Sequence, residues 1–373
     1  MKRIMYLRSG PYEPDISNYN MQEIGMLTDF CKQGYDCDLF YYGKNEKKQV
    51  TNIDDDAGQL TIYFIKGIRV LRSGIYPKLL NKSFLNRYDM IIVSEYSQIM
   101  TVLISQLHPN VYCYNGPYYN LFKIPFTEQV YDFFFLNTLQ KNVKKFYCKS
   151  FLSEEYLNNK GLLNTVTIGV GQNFKKFMRI EKPSNTTKAL IDYMNKYQVL
   201  LVVGSINERK NFPFILEVFN LLLKSNANFR LMFIGTGEAK YIEKELNNFK
   251  SEIKEKIYFA GQIPNTELQF VYPNAYAFLM PSKLEIFGMV MLEAMSFGGV
   301  VISSYNGGSS LLIEDGVNGY IRQIKDSKDW SNLILSNEFK FKRKEISYNA
   351  VKTVSDNFTW EKIVKRILEI KDV

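Results

Sequence analysis

Short apolar runs alternate with amphipathic segments along almost the whole chain, and this alternation limits the fold more than any other feature of the sequence. Apolar runs bounded by turn residues are typical of buried strands, whereas the segments between them have the apolar spacing of helices. Buried strands joined by helices form parallel sheets with both faces covered. We therefore predict an α/β fold of doubly wound sheets. The runs are RIMYL, CDLFYY, YDMIIVS, NVYCYN, KKFYCKS and TVTIGV, and later QVLLVVGS, FRLMFIGTG, KIYFAG, AYAFLMPS and GGVVISS.

A polar stretch, EKPSNTTK at positions 181–188, interrupts the alternation and is typical of a linker. The 373 residues, 46% of them hydrophobic, are enough for two separate cores. We predict a first domain over 1–180, a second over 181–355 and a terminal helix over 356–373. Two such domains are expected to form a cleft. Ligands of doubly wound sheets bind beyond the carboxyl ends of the strands.

Composition and loop patterns exclude several classes of protein. His108 is the single histidine, which rules out a multi-histidine metal site. The four cysteines contain no C-x-x-C pair, so they favour a reducing compartment. The loop GSINERK lacks the second glycine of a dinucleotide fingerprint and GTGEAK lacks the third, so a nicotinamide or flavin enzyme is disfavoured. No phosphate-binding loop of the Walker type is present.

Charge and hydropathy bear on the location of the protein. The start MKRIMYLRSG leaves no room for the apolar part of a signal peptide, and no run of 18 apolar residues occurs. We expect a cytoplasmic protein that meets a membrane only from its inner face. Net charge is +9, and Lys66 to Arg87 contains six basic residues and no acid, interleaved with Leu79, Leu80, Phe84 and Leu85. This segment suits an anionic membrane surface or a phosphorylated acceptor, with a plain solvated helix as the alternative.

Loops with complementary chemistry follow the strands of the second sheet and are expected at one edge. Arg209 and Lys210 supply two cations beside a glycine-bearing turn, as a diphosphate requires. A helix that begins near Phe287 and Gly288 offers free backbone N–H groups to an anion. Further donors are expected from the glycine turns in YNGGSSLLIEDGVNGY. The loops are GSINERKN, GTGE, GQIPN and PSKLEIFGMVMLE.

Glu285 and Glu293 lie eight residues apart on either side of this helix start. Their spacing alone carries no information, because Glu361 and Glu369 share it in an amphipathic helix. Because Glu285 precedes the helix and Glu293 lies inside it, we expect the two carboxylates to reach different parts of one ligand. Carboxylates suit sugars, since they accept hydrogen bonds from hydroxyl groups. We expect Glu285→Ala and Glu293→Ala to weaken function with little loss of folding, and Glu361→Ala or Glu369→Ala to do little.

An ordered series of motifs resembles the retaining GT-B glycosyltransferases of family 4, over nearly all of the second half and more loosely over the first. The resemblance implies two Rossmann-like domains facing a central cleft, the first binding the acceptor and the second the nucleotide sugar. It also implies that the helix over 356–373, around Trp360, crosses back to the first domain. The motifs are GS...ERKN, FIGTGE, FAGQIPNTELQFVYPNAYAFLMPS, EIFGMVMLEAMSFGGVVISS, GGSSLLIEDGVNGYI and FTWEKI.

The resemblance implies a role for each matching residue. Glu285 contacts the donor sugar, Glu293 holds the ribose, and Arg209 and Lys210 bind the diphosphate, so that Glu285, Arg209 and Lys210 form the catalytic set. The chain departs from the family pattern at Ser205, Asn115 and Gly171, where an arginine, a histidine and a hinge acid are common. The remaining donor-binding positions are Gly204, Ser205, Gly235, Glu238, Ile263, Ile286, Phe287, Gly288 and Met289, and the acceptor side has Ser9, Gly10 and Asn115.

The resemblance also implies an activity. The enzyme implied by the resemblance transfers a hexose or N-acetylhexosamine, with retention, from a nucleotide sugar, and UDP is the commoner nucleotide in the family. The acceptor is a hydroxyl of a glycan or of a lipid-linked acceptor, in cell-surface polysaccharide or glycoconjugate synthesis. No metal or other cofactor is expected, and the acidic run Asp54–Asp56 is the alternative metal site. Competing functions are a non-catalytic GT-B partner subunit, a sugar-nucleotide epimerase, which one histidine disfavours, and nucleic-acid binding by the basic first half.

Overall fold

The computed structural model describes residues 2–16, 21–53, 57–177 and 180–371. The chain divides into two compact units. Unit 1 consists of Met1–Gly171 together with Trp360–Val373, and unit 2 consists of Gln172–Thr359. Each unit contains a sheet of predominantly parallel strands with helical connections, so the predicted α/β fold class is confirmed.

The described part of unit 1 contains an eight-stranded sheet in the order β10-β9-β8-β7-β1-β2-β4-β3. Its neighbouring strands are parallel except β3, which is antiparallel to β4. The central strands are apolar along their whole length because both faces are covered; Ile4 to Leu7 and Met90 to Val93 are buried. The strands are β1 (Arg3–Leu7), β2 (Asp36–Tyr42), β3 (Lys47–Asn52), β4 (Gln59–Ile65), the separate hairpin β5 (Ile68–Val70) and β6 (Ser73–Ile75), β7 (Met90–Ser94), β8 (Val111–Asn115), β9 (Val143–Cys148) and β10 (Thr165–Thr167).

Helices connect these strands, and their polar caps mark where they begin. Asn81 accepts a hydrogen bond from the backbone N–H of Phe84, and Ser150 accepts one from Ser153. A short 3₁₀ turn also covers Pro77–Leu79. The helices are α1 (Gln22–Lys32), α2 (Lys82–Leu85), α3 (Ile99–Ser105), α4 (Thr127–Asn142) and α5 (Phe151–Asn159).

Unit 2 has, in its described part, a six-stranded parallel sheet in the order β13-β12-β11-β14-β15-β16. Its strands are β11 (Gln198–Val203), β12 (Phe229–Ile234), β13 (Ile257–Phe259), β14 (Ala277–Met280), β15 (Val301–Ser303) and β16 (Tyr320–Ile321). Its helices are α6 (Phe174–Phe177), α7 (Asn185–Lys196), α8 (Phe212–Ser225), α9 (Ala239–Leu246), α10 (Ser251–Lys254), α11 (Leu268–Val271), α12 (Met289–Ser296), α13 (Ser309–Leu312), α14 (Ser327–Leu335) and α15 (Asn337–Asn357).

The terminal helix α16 (Trp360–Lys371) belongs to unit 1. It packs on α1, where the indole of Trp360 lies against Gly25 so closely that an added Cβ would meet its Nε1 at 2.2 Å. Arg366 Nη1 also donates to the carbonyl of Ile168 at 2.7 Å. Glu361 and Glu369 are exposed on this helix, as surface residues of an amphipathic helix are expected to be.

The boundary between the units differs from the sequence-based division. Unit 2 begins at Gln172 rather than 181, since the ring of Phe177 packs on Phe297 at 4.9 Å and Gln269 Nε2 donates to the carbonyl of Phe177 at 2.7 Å. The stretch predicted to be a linker is largely the start of α7, where Ser184 caps the helix by accepting from Thr187 N–H. The return to unit 1 falls at Trp360 rather than at 356 because α15 continues to Asn357.

The basic segment from Lys66 to Arg87 does not form the apolar and basic surface that the sequence suggested. Leu79 and Leu85 are buried in the core of unit 1, and Leu80 and Phe84 pack against it. The helix within the segment, α2, is only four residues long. The four apolar side chains on which the sequence-based interpretation depended are therefore used by the fold, whereas Ile68 and Leu71 of the segment are exposed.

Candidate active site

Two glycines mark the carboxyl ends of adjacent strands in unit 2. Gly204 follows β11 and Gly235 follows β12, with φ angles of 124° and 140° that side-chain-bearing residues rarely adopt. A Cβ at Gly235 would lie 2.1 Å from the carbonyl oxygen of Gly204. The two predicted donor positions are thus in direct backbone contact, and only glycine permits this approach. Ser205 and Glu238, in the same loops, are exposed.

The two predicted cations follow Gly204 in a short 3₁₀ helix, Glu208–Lys210. Asn207 begins this turn, and its Oδ1 accepts from the backbone N–H of Lys210 at 3.1 Å. The carbonyl of Arg209 accepts from the N–H of Lys283 at 2.9 Å, which joins the turn to the loop after β14. Arg209 and Lys210 are therefore held beside the loop that carries Glu285.

Glu285 forms ion pairs with both cations. Its Oε2 lies 2.6 Å from Arg209 Nη1 and 2.9 Å from Lys210 Nζ. The Arg209 side chain is 46% exposed whereas that of Lys210 is 10% exposed, so the cluster has one buried and one accessible cation. Burial lowers the pKa of Lys210, an effect that the charge of Glu285 opposes. The structure brings together the three residues that the resemblance implied to be catalytic.

The next helix, α12, begins beside this cluster. Gly288 precedes it with φ 77°, and a Cβ there would lie 2.5 Å from Met280 Cε. The first turn of a helix has unpaired N–H groups and a partial positive charge, both of which attract an anion. Phe287 is buried, whereas Ile286 and Met289 are partly buried. The helix thus begins where the sequence predicted, in the loop that follows the carboxyl end of β14.

Gly307 and Gly308 have a different role from the predicted supply of free donors. The N–H of Gly307 donates to the carbonyl of Glu285 at 3.1 Å, so this donor is already used. An added Cβ would lie 1.9 Å from Ile286 O at Gly307 and 1.6 Å from Phe287 O at Gly308. The two glycines allow the loop after β15 to support the backbone that leads into α12.

Glu293 lies inside α12 and is 1% exposed. Its Oε2 accepts from Asn265 Nδ2 at 3.1 Å and from the hydroxyl of Tyr272 at 3.4 Å. Asn265 ends the loop GQIPN, which the sequence placed at this site without giving Asn265 a role, whereas Tyr272 had no signal in the sequence. Ile263, which was predicted to lie near the base, is partly buried in the same loop. Since the carboxylate is buried and bonded, we expect Glu293→Ala to reduce stability, unlike the sequence-based expectation of little loss of folding.

On the acceptor side, Ser9 and Gly10 follow β1 in unit 1. Ser9 is fully buried, with its N–H donating to Ser94 Oγ at 3.3 Å. Gly10 lines a cavity of about 420 Å³ at the ends of the strands. This cavity also contains charged side chains that the sequence analysis did not single out, namely Arg8, Glu23, Arg72, Glu95, Lys123 and Lys149.

The charged groups of this cavity form pairs. Arg72 Nη2 lies 3.0 Å from Glu95 Oε2, and Arg8 Nε lies 3.5 Å from Glu23 Oε1. Glu95 has φ 61°, a left-handed conformation that is uncommon for residues other than glycine and is concentrated at functional sites. Burial lowers the pKa of Lys149, whose Nζ donates to Gln22 Oε1 at 2.8 Å.

Asn115, at the end of β8, is fully buried and bonded to its surroundings. Its Nδ2 donates to Ser153 Oγ at 2.9 Å and to Pro117 O at 3.0 Å, and its Oδ1 accepts from Tyr96 N–H at 3.1 Å. These bonds join the end of β8 to the loop that follows it, to the loop after β7 and to the first turn of α5. The acceptor-side role of Asn115 stays a prediction.

No group of three or more His, Cys, Asp or Glu side chains among the described residues could hold a metal ion. The acidic run Asp54–Asp56 lies outside the described residues. Among the helices described, none is both long and apolar enough to cross a bilayer.

The fold is that of the GT-B glycosyltransferases. HepE of Anabaena, solved with UDP, superposes with a TM-score of 0.74 at 16% identity, covering 100% of both chains. The E. coli trehalose-6-phosphate protein OtsA, solved with UDP-2-fluoro glucose, gives a TM-score of 0.72 at 12% identity, covering 99% of both chains. At these identities the likeness establishes the fold alone.

Sequence comparison finds a further similarity within unit 2. Residues 189–353, within unit 2, match the family model of glycosyl transferases group 1. Lipopolysaccharide 1,2-N-acetylglucosaminetransferase of Salmonella typhimurium is 29% identical over 196 residues, 50% of this chain and 51% of the relative. The chain matches about half of the length of its curated relatives. The family match covers less than half of the chain, so what is shown is the similarity of unit 2 to group 1 glycosyl transferases and the GT-B fold of the chain.

Proposed function

We propose that this protein is a retaining glycosyltransferase of family 4 that uses a nucleotide sugar, with UDP as the nucleotide, as its donor. The observation that carries the proposal is the cluster of Arg209, Lys210 and Glu285 beside the start of α12, within the segment that matches group 1 glycosyl transferases. Two cations and a helix N-terminus suit a diphosphate, and a carboxylate between them suits sugar hydroxyls. HepE, which shares the fold, has been solved with UDP and with UDP-glucose.

The chemical step requires stabilisation of the leaving diphosphate. Arg209, Lys210 and the N–H groups at the start of α12 would stabilise the negative charge that develops on its oxygen. Loss of one such group costs about 3 kcal/mol in the barrier. A diphosphate oxygen on the donor's own face takes the acceptor proton, so the sugar is transferred with retention. Glu285 orients the sugar and does not attack it.

The donor site needs no metal ion in this proposal. Cations from side chains and the end of a helix can together neutralise a diphosphate. Transfer should therefore continue in the presence of a chelator. Activity that is lost with EDTA and restored by magnesium or manganese would contradict this part of the proposal.

For the acceptor, we propose a hydroxyl group of a glycan or a lipid-linked glycan in cell-surface polysaccharide or glycoconjugate synthesis. The cavity of unit 1 beside Gly10 would hold it, since charged and polar side chains line the cavity. The donor sugar would be a hexose or an N-acetylhexosamine, as in the Salmonella relative, whose name describes an N-acetylglucosaminetransferase. We place the protein in the cytoplasm, because its cysteines Cys31, Cys37, Cys113 and Cys148 are buried free thiols.

The test is release of UDP from UDP-glucose and UDP-N-acetylglucosamine by the full chain, with water as the acceptor. Lys210→Met should lower the rate about 100-fold, because one stabilising cation is lost. Glu285→Ala should lower it by a similar factor, whereas Glu361→Ala and Glu369→Ala, on the exposed face of α16, should leave it unchanged. Proton NMR of the first sugar released from an α-linked donor should detect the α-anomer.

The outcomes separate the competing functions. Nucleotide-sugar binding without any release of UDP would instead indicate a non-catalytic partner subunit. Conversion of the donor to its epimer without release of UDP would indicate an epimerase. Equal effects in the two glutamate pairs would remove the basis for assigning Glu285 to the site.

A further inference from the structure

Helix α4 in unit 1 exposes a row of large apolar side chains. Phe133 is 83% exposed, Phe126 76%, Phe134 65% and Val130 54%. Val130, Phe133 and Phe134 follow helical spacing and therefore share one face, and Phe126 is the residue that immediately precedes the helix. The opposite face packs normally, with Tyr131 and Leu139 in the core of unit 1. Folding of unit 1 thus accounts for one apolar face of α4 and leaves the other exposed.

The exposed face continues beyond the start of the helix. Ile124 is 58% exposed and Leu71, in the β5–β6 turn, is 60% exposed. Both line a groove of about 400 Å³ that also includes Phe122 and Lys123. We define the α4 face as Leu71, Ile124, Phe126, Val130, Phe133 and Phe134. A continuous apolar surface of this kind on a water-exposed helix usually marks an interaction site.

The charges around the α4 face have one sign. In residues 121–145, all of which the structure describes, the exposed charged side chains are Lys123, Lys141 and Lys144. The two acids of α4 point the other way: Glu128 lies 3.4 Å from Lys160 Nζ, and Asp132 pairs with the same lysine. Lys141 lies eleven residues after Val130 and hence on the same side of the helix.

Aromatic side chains flanked by lysines, without acids, match the surface of an anionic bilayer. Rings enter the interface between headgroups while lysines contact lipid phosphates. A second copy of the chain fits less well, because a symmetric pairing through the α4 face would bring its lysines together. None of the helices among the described residues can span a membrane, so contact through this face is peripheral.

We propose that the α4 face docks unit 1 on the surface of a membrane that contains anionic lipid. Phe126, Val130, Phe133 and Phe134 enter the headgroup region, and Lys123 and Lys141 contact lipid phosphates. The α4 face differs from the membrane surface that the sequence suggested. Only Leu71 of the segment from Lys66 to Arg87 belongs to the α4 face. The proposal does not depend on the donor chemistry of unit 2.

The experiment is sedimentation of the full chain with vesicles of phosphatidylcholine alone or mixed with phosphatidylglycerol. Binding is expected to the mixed vesicles and to weaken with salt. The double variant Phe133→Ser and Phe134→Ser should lower the partition coefficient at least tenfold, because two apolar side chains no longer enter the membrane interface. Lys123→Ala and Lys141→Ala should each lower it about fivefold, and only for the anionic vesicles.

The matched control is Phe341→Ser, which changes a 78% exposed phenylalanine of α15 in unit 2 and should not affect partition. UDP affinity of the double phenylalanine variant, of Lys141→Ala and of Phe341→Ser should equal that of the wild type, so failure here and failure of the proposed function can be told apart. No binding to anionic vesicles, or equal loss with Phe341→Ser, would overturn the proposal. So would a wild-type dimer in sedimentation velocity that the double variant converts to a monomer, because a second copy would then cover the face.

Discussion

At the scale of single residues, the one negative charge of Glu285 lies beside two positive charges. Arg209 and Lys210 both contact its Oε2, at 2.6 Å and 2.9 Å. A bound diphosphate would share these cations with a carboxylate of the same sign. The same group that orients a sugar therefore opposes the binding of a bare nucleotide, and the two effects can be separated by experiment.

Glu285→Gln should change binding and turnover in opposite directions. Removing the negative charge releases the two cations, so the affinity for UDP should rise about fivefold, as expected for one charge a few ångströms away. UDP release from a nucleotide sugar should fall about 100-fold, since the amide no longer holds the cations or accepts two sugar hydrogen bonds. Titration calorimetry and a UDP-release assay measure the two effects, with Glu361→Gln as the control. Weaker UDP binding would contradict this account of Glu285.

The residues of the donor site were predictable to the extent that their chemistry is local. Arg209, Lys210 and Glu285 could be placed together, because loops after parallel strands meet at one edge of a sheet. The bonds of Glu293 could not be predicted. Asn265 lies in the predicted loop GQIPN, but its pairing with Glu293, like the approach of Tyr272 from a short turn, depends on packing that no local pattern encodes. The buried bonds of Asn115 were missed for the same reason.

At the scale of elements, the position of the α12 start depends on the loop behind it. Gly308 lies so close to Phe287 that a Cβ would be 1.6 Å from its carbonyl oxygen. Because neither backbone segment can move without displacing Glu285 or the helix start, we expect Gly308 to determine the geometry of the proposed donor site.

Gly308→Ala should therefore weaken donor binding indirectly. The affinity for UDP should fall at least tenfold and stability should fall by about 1–3 kcal/mol, the usual cost of overpacking. Gly319→Ala is the control, because its Cβ would meet its nearest neighbour at 3.3 Å and the position lies in the same unit. Calorimetry below the unfolding temperature of the variant distinguishes the two effects. Unchanged UDP affinity in Gly308→Ala would show that the loop does not position the site.

Most strands of the two sheets were predicted from their apolar runs, but β4, the polar edge strand β3 and the two-residue β16 were missed. The surface of the helices was less predictable. The continuous apolar run in QVLLVVGS predicted β11, because a strand that is covered on both faces is apolar along its length. The FFF run of α4 looks like core by composition, yet Phe133 and Phe134 are exposed. Periodicity indicates which residues share a face but not whether a second layer covers it.

At the scale of the whole molecule, each unit has its own sheet and core, and the chain passes between the units twice. The sequence placed both crossings within about ten residues. It could not place them better, because the polar stretch at 181–188 serves as the start of α7 and the segment before it packs on unit 2. Such packing is a tertiary contact and leaves no compositional trace.

The central claim is that unit 2 binds a nucleoside diphosphate through the Arg209 and Lys210 turn. Titration calorimetry of the full chain with UDP tests it directly. The account predicts one UDP per chain, at least tenfold weaker binding by Lys210→Met and unchanged binding by Lys224→Met, which alters an exposed lysine of α8 in the same unit. Equal affinity of the two variants, or no binding of UDP or any other nucleoside diphosphate by the wild type, would contradict it.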